Sequence, residues 1–302
     1  MSNDGPSVTR RAFLAAATTS AGLGAGCRAQ AGGEATVSML AAGSLQHALE
    51  DGLVPRVDAT LQVEARGSVE LARQVAEGQK DPDIVAVADD GLFGSTLDVP
   101  WHALFATNAV VIAYNPETEG GRQLASAAPD EWYRPLVDGE VRLGRTDPDL
   151  DPLGYRALFA LELATDHYGT GVDLRAAVPS PDQTYPETQL VSQLETGSVD
   201  AAFVYRNMAV ERDYAHLDLP EAVDLSDPAH ADSYATASYE LPDGTTVEGD
   251  VIRYAATARR QSDAVLDAFE TCVDGGYLAA YGFSLPETYP RFTDDAPGRV
   301  AN

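Results

Sequence analysis

Short apolar runs alternate along this chain with longer stretches whose apolar residues recur every three or four positions. The first kind reads as buried strand and the second as amphipathic helix. Strands are expected at residues 35–40, 61–65, 83–88, 105–114, 141–144, 201–205 and 253–258. The run at 83–88 is apolar nearly throughout, as a strand covered on both faces requires. After Arg66-Gly67-Ser68, a helical stripe of Val69, Leu71, Ala72, Val75 and Ala76 closes at Gly78. A second stripe, with Tyr155, Leu158, Phe159, Leu161 and Leu163, spans 153–168, and a third spans 187–196 and closes at Gly197. Further helices are expected at 44–50, 206–211 and within 262–281, and Asp243-Gly244 predicts a hairpin between 239–241 and 246–251.

Strands alternating with helices predict an α/β fold with largely parallel sheets. Two such blocks, joined by extended segments near 105–114 and 236–258, predict two lobes. Residues 34–113 and 236–302 form one, and 114–235 the other, with a ligand cleft between them where strands end and helices begin.

Residues 1–26 read as an address rather than part of the fold. Thr9-Arg10-Arg11-Ala12-Phe13-Leu14 is a twin-arginine pattern, and the small, apolar run after it is too short to span a bilayer. Gly24-Ala25-Gly26 before Cys27 predicts a lipid on Cys27, which would tether the chain to the extracellular face of the membrane without a transmembrane helix. Cleavage near 29–32 with no lipid is the alternative. Cys272 then has no disulfide partner and reads as a buried, inert thiol in a helix.

The 302 residues carry a net charge of −27, with 47 acidic side chains and a single lysine, Lys80. That balance fits concentrated salt and disfavours nucleic acid. It would also repel an anion at long range, except that molar salt shortens the Debye length to about 3 Å, so an anion site here has to act through direct contacts.

Four turns supply them. Gly43-Ser44, Gly67-Ser68, Asp151-Pro152-Leu153-Gly154 and Pro186-Glu187 all sit at expected helix starts. A helix start offers unpaired N–H groups and partial positive charge, and glycine beside serine lets backbone and hydroxyl approach an oxyanion. Serine and aspartate are also plain helix caps. As caps, Asp151 and Glu187 would only complement the helix dipole. As ligands they would repel sulfate or phosphate, whose central atoms accept no further oxygens. Tungsten(VI) and molybdenum(VI) are larger and hard and can become six-coordinate, so the same two carboxylates would bind the metal directly.

The chain resembles archaeal-type tungstate/molybdate-binding proteins of ABC importers. The resemblance rests on Ala42-Gly43-Ser44-Leu45, Ala65-Arg66-Gly67-Ser68-Val69, the run from Asp83 to Asp89, Phe105-Ala106-Thr107-Asn108, the aspartate-rich run from Asp147 to Arg156, and Tyr205-Arg206. It implies a two-lobed, type II periplasmic-binding-protein architecture with a hinge. It implies oxyanion contacts from Ser44, Ser68 and Tyr205, metal-directed carboxylates at Asp151 and Glu187, a membrane permease as partner, a monomer, and no resident cofactor. Two positions depart from the pattern: Gln189 stands where a second glutamate is usual, and Asn207 where serine is frequent. His47, His102, His167, His216 and His230 are scattered without ligand spacing, and no P-loop or nucleophile elbow occurs, so an enzyme is not expected. A binder of sulfate, phosphate or another solute, and a surface enzyme or adhesion module on the same scaffold, are the rival expectations.

Overall fold

The computed structural model describes residues 35–178 and 183–301. The twin-arginine segment and Cys27 lie outside the described residues. Within them the strands are β1 (Thr36–Ala42), β2 (Thr60–Arg66), β3 (Ile84–Val87), β4 (Ala103–Thr107), β5 (Val110–Tyr114), β6 (Leu143–Thr146), β7 (Thr184–Tyr185), β8 (Ala201–Tyr205), β9 (His216–Asp218), β10 (Ser238–Glu240), β11 (Thr246–Glu248), β12 (Arg253–Ala258) and β13 (Arg291–Phe292). One sheet runs β13-β4-β12-β3-β1-β2 and the second β7-β6-β8-β5-β9, while β10 and β11 form the expected hairpin. One continuous apolar core runs through both large sheets, with Val37, Ile84, Val85 and Ala256 buried on the first and Ile112, Phe203 and Val204 on the second.

The sheets are mixed rather than largely parallel. β1 pairs in parallel with β2 and β3, but β12 runs antiparallel to β3 and β4; β6 and β8 are parallel, but β5 is antiparallel to β8 and β9. The chain leaves the first lobe and later returns to it, and β12 re-enters in the opposite sense.

The single strand expected at 105–114 is two strands in different sheets. Its apolar residues are buried except Ala109 and Tyr114, which are partly so, and in sequence the crossing is marked only by the polar pair Thr107-Asn108. The Asn108 side-chain oxygen accepts from Ala109 N–H at 3.0 Å, and Asn108 N–H donates to Ile252 O at 3.3 Å on the returning segment. The two sheets therefore part at Asn108-Ala109, between β4 and β5. The hairpin also reaches across, since the Tyr239 hydroxyl donates to Asp149 at 2.7 Å.

The helix expected from Ser44 is irregular: a 3-10 turn (Gly43–Leu45), a π-helix (Ala48–Leu53) and a second 3-10 turn (Val54–Arg56). Gly52 within it packs closely, since a Cβ there would lie 2.5 Å from the Tyr277 ring. Helices Ser68–Ala76, Pro152–Tyr168 and Glu187–Glu195 form where the periodicity predicts them. No helix among the described residues is long and apolar enough to cross a membrane.

Candidate functional site

The parallel strands of both sheets lead, at their carboxyl ends, into the residues singled out above. β1 runs into Gly43-Ser44, β2 into Gly67-Ser68, β3 into Ala88-Asp89, β7 into Pro186-Glu187, and β8 ends on Tyr205. β6 leads through 147–150 to Asp151, the cap of the Pro152–Tyr168 helix. Helix starts from two lobes thus converge on one place, and their unpaired N–H groups lend it a positive potential.

Asp151 and Glu187 are each only 2% exposed. Asp151 is a cap and more than a cap. One carboxylate oxygen accepts from Leu153 N–H at 3.4 Å, while the other is buried with no hydrogen-bond partner. Both oxygens of Glu187 are likewise buried and unpartnered. The glycines hold these groups close. A Cβ on Gly43 would lie 2.4 Å from Glu187 Oε2, and a Cβ on Gly67 would lie 2.5 Å from Leu150 O and 3.0 Å from Asp151 Cβ. Burial pushes Asp151 up to about 6, against the nearby Thr146 hydroxyl, the Leu153 N–H and the pull of Arg156. Burial, followed by the neighbouring Asp151 charge, raises Glu187 well above the usual carboxylate range. Nearby Ser44 and the Gly43 and Ser44 N–H groups work the other way, although none closes to hydrogen-bond geometry. Gln189 is exposed and Glu187 buried, and both line the cavity beside Asp151.

Three buried hydroxyls border the carboxylates. Ser44 Oγ lies 3.0 Å from the Tyr254 hydroxyl. Ser68 Oγ accepts from Ala88 N–H at 3.0 Å, and the Tyr205 hydroxyl accepts from Arg156 at 2.7 Å. Burial raises the Tyr205 phenol well above its ordinary value; Arg156 opposes this, while Asp151 and Glu187 add to it. Of the five residues expected to touch a ligand, Asp151 and Glu187 lie together, Ser44 stands beside Glu187, Tyr205 is within electrostatic reach of both carboxylates, and Ser68 is buried at the start of the Ser68–Ala76 helix. A cavity of about 370 Å³ opens beside them, lined among others by Arg66, Gly67, Thr146, Asp151, Tyr185 and Glu187.

Arg156, on the Pro152–Tyr168 helix, was not assigned a role from the sequence. It crosses between lobes, donating to Ala88 O at 2.6 Å and pairing with Asp89 at 3.3 Å. Burial works against its charge, but Tyr205 and Asp89 outweigh that and keep it a cation. Asn207 also crosses, donating to Ser44 O at 2.8 Å and accepting from Asn108 at 2.8 Å. Glu70 N–H donates to Leu150 O at 3.0 Å at the cleft rim. Nothing local marked Arg156: it stands five residues past Asp151, a spacing that does not place two side chains on one helix face. Cys272 is buried in helix Asp263–Asp274, its thiol pushed up to about 12 by burial. Among the described residues, no group of three or more His, Cys, Asp or Glu side chains is placed to hold a metal ion. A metal held by Asp151 and Glu187 must therefore arrive with oxygens of its own.

The profile of the bacterial extracellular solute-binding protein family matches residues 37–270. A Haloferax volcanii protein, whose name describes molybdenum binding for an ABC transporter, is 53% identical over 295 residues, covering 96% of each chain. The molybdate/tungstate-binding protein WtpA of Pyrococcus abyssi is 31% identical over 234 residues, covering 68% of this chain and 67% of that one. Among solved structures, the periplasmic molybdate-binding protein of Azotobacter vinelandii matches with a TM-score of 0.54 at 13% identity, covering 83% of this chain and 100% of that one. The sulfate-binding protein SubI of Mycobacterium tuberculosis matches with the same TM-score, 0.54, at 13% identity, covering 84% of this chain and 88% of that one. Binders of different oxyanions thus share the architecture, and the structural likeness speaks for the two-lobed fold alone.

Proposed function

The chain belongs to the family of bacterial extracellular solute-binding proteins, and from that membership we propose that it captures tungstate or molybdate for an ABC importer. Membership makes it an exported solute-binding protein rather than an enzyme. The ligand follows from one observation: two buried carboxylates offer three unpartnered oxygens, with the buried hydroxyls of Ser44 and Tyr205 in electrostatic reach of them. Buried charge without a partner is costly. A tetrahedral sulfate or phosphate would add repulsion, since its central atom has no room for the carboxylates. A hexavalent tungsten or molybdenum centre accepts an oxygen from each of Asp151 and Glu187 and removes the penalty. Ser44, Ser68 and Tyr205 donate to the four oxygens that the anion brings, and Arg156 supplies a fixed cation behind Tyr205.

The relatives support this ligand class. Proteins of this chain's own family are named for molybdenum and for molybdate/tungstate binding. Calorimetric titration tests it. Wild-type protein is expected to take one tungstate or molybdate per chain and no sulfate. Asp151→Ala and Glu187→Gln are expected to weaken tungstate by on the order of 100-fold or more, the effect of leaving a buried charge half satisfied. Tungstate binding that survives Asp151→Ala unchanged, or wild-type affinity for sulfate, would make the carboxylates mere helix caps.

In the same reading Cys27 carries a lipid, the loaded and closed lobes present a surface to a membrane permease, and the chain works as a monomer. Cys27→Ala is expected to move the protein from the membrane fraction to the medium. Retention in the membrane would instead point to a tether elsewhere.

A further inference from the structure

A hydroxyl can donate or accept, and which it does depends on what else it touches. The three cleft hydroxyls are each met from behind by a group that leaves no choice. Ser68 Oγ faces Ala88 N–H at 3.0 Å, and a backbone N–H only donates. The Tyr205 oxygen faces the Arg156 guanidinium at 2.7 Å, which has no acceptor. Both hydroxyls accept there, so their own protons point elsewhere.

Ser44 is reached through a longer chain of fixed choices. Asn108 Oδ1 accepts from Ala109 N–H at 3.0 Å, which fixes the orientation of its amide. Asn108 Nδ2 therefore donates to Asn207 Oδ1 at 2.8 Å and to the Tyr254 oxygen at 3.3 Å. With that side of its oxygen occupied, Tyr254 turns its proton to Ser44 Oγ at 3.0 Å. Burial raises the Tyr254 phenol, so the proton stays on it. Ser44 accepts, and its own proton is left for the cleft. All the side chains in this relay are buried, and no sequence neighbour hints at it, since Tyr254 and Ser44 are 210 positions apart.

We propose that Asn108, Tyr254 and Arg156 are positioning residues that hold the protons of Ser44 and Tyr205 toward the ligand, making the cleft hydroxyls obligate donors. This rests on the oxyanion reading above and adds to it residues that never touch the ligand. The relays also tie ligand sensing to closure, because Arg156 anchors on Ala88 and Asp89 of the other lobe while it orients Tyr205.

A double-mutant cycle read by tungstate calorimetry on the full chain tests it. Ser44→Ala is expected to weaken tungstate about 10-fold or more, the effect of losing a hydrogen bond to a charged group. Tyr254→Phe, which removes one oxygen and no volume from the core, is expected to weaken it several-fold. Tyr254→Phe on the Ser44→Ala background is expected to add nothing, because the proton it orients is gone. Losses that multiply, or a Tyr254→Phe variant that binds like wild type, would overturn the relay. If Tyr254→Phe does not fold, the cycle of Tyr205→Phe with Arg156→Lys asks the same question on the other lobe, with the same two outcomes. A wild-type chain that takes no tungstate contradicts the ligand assignment instead, and that is read before any variant is made.

Discussion

At the scale of single residues, the site holds two carboxylates that keep their protons more tightly when the chain is folded than when it is unfolded. Asp151 is pushed up to about 6 and Glu187 is raised well above the usual range, both by burial first. A carboxylate with a raised folded-state value contributes stability that is fully present below the ordinary value near 4 and is lost as pH rises through the folded one. Ligand-free protein is therefore expected to lose thermal stability as pH rises from about 4 through the Asp151 value of about 6, with Glu187 carrying the loss further upward. Asp151→Asn/Glu187→Gln should flatten that part of the profile, as melting curves across pH would show; an unchanged slope would mean the pair is not coupled to folding. Much of this site was legible beforehand because its members carry local signals. Ser44, Ser68, Asp151 and Glu187 stand at expected helix starts, whereas Tyr205 was singled out by the family resemblance alone. Arg156, Tyr254, Asn108 and Asn207 were not legible as site residues. Their roles come from contacts 49 to 210 positions away, which no periodicity encodes.

At the scale of elements, the helices that present the site formed where amphipathic periodicity and capping placed them. The errors share a cause, which is tertiary packing overriding local pattern. The break inside 105–114 is silent because both halves are buried in different sheets. Helix Glu119–Ser126 was overlooked because Gly120-Gly121 lowers its propensity. Those glycines are there for space. A Cβ on Gly121 would lie 1.9 Å from Asn115 O, and one on Gly120 would lie 2.7 Å from Asp200. The same reasoning gives a test at the cleft. Gly67 has an ordinary backbone conformation (φ −58), so its need for glycine is contact with Leu150 across the lobes, not backbone freedom. Gly67→Ala is expected to prop the lobes apart and weaken tungstate by roughly 10-fold or more, given about 1–3 kcal/mol for overpacking. Small-angle scattering should then show less compaction with ligand than wild type gives. Full compaction would mean that the rim yields easily.

At the scale of the whole molecule, a chain of net charge −27 is an unpromising partner for a dianion, and the structure answers this locally. The helix starts, the buried Arg156 and the donor hydroxyls act within a few ångströms, where bulk charge screened by salt has little reach. The two-lobed division was legible from the alternation of strands and helices, whereas the mixed strand order was not, because it depends on where the chain returns. Two lobes are what the chemistry needs. In the proposed function the hydroxyls of Ser44 and Ser68 come from one lobe and the carboxylates of Asp151 and Glu187 from the other, so that closure completes the shell. The most direct measurement of that shell is X-ray absorption at the metal edge of tungstate- or molybdate-loaded protein, compared with the free ion. Six oxygen neighbours, falling toward the four of the free ion in Asp151→Ala, are the predicted result. Four oxygens at the free-ion distances in wild-type protein would contradict direct coordination by the carboxylates.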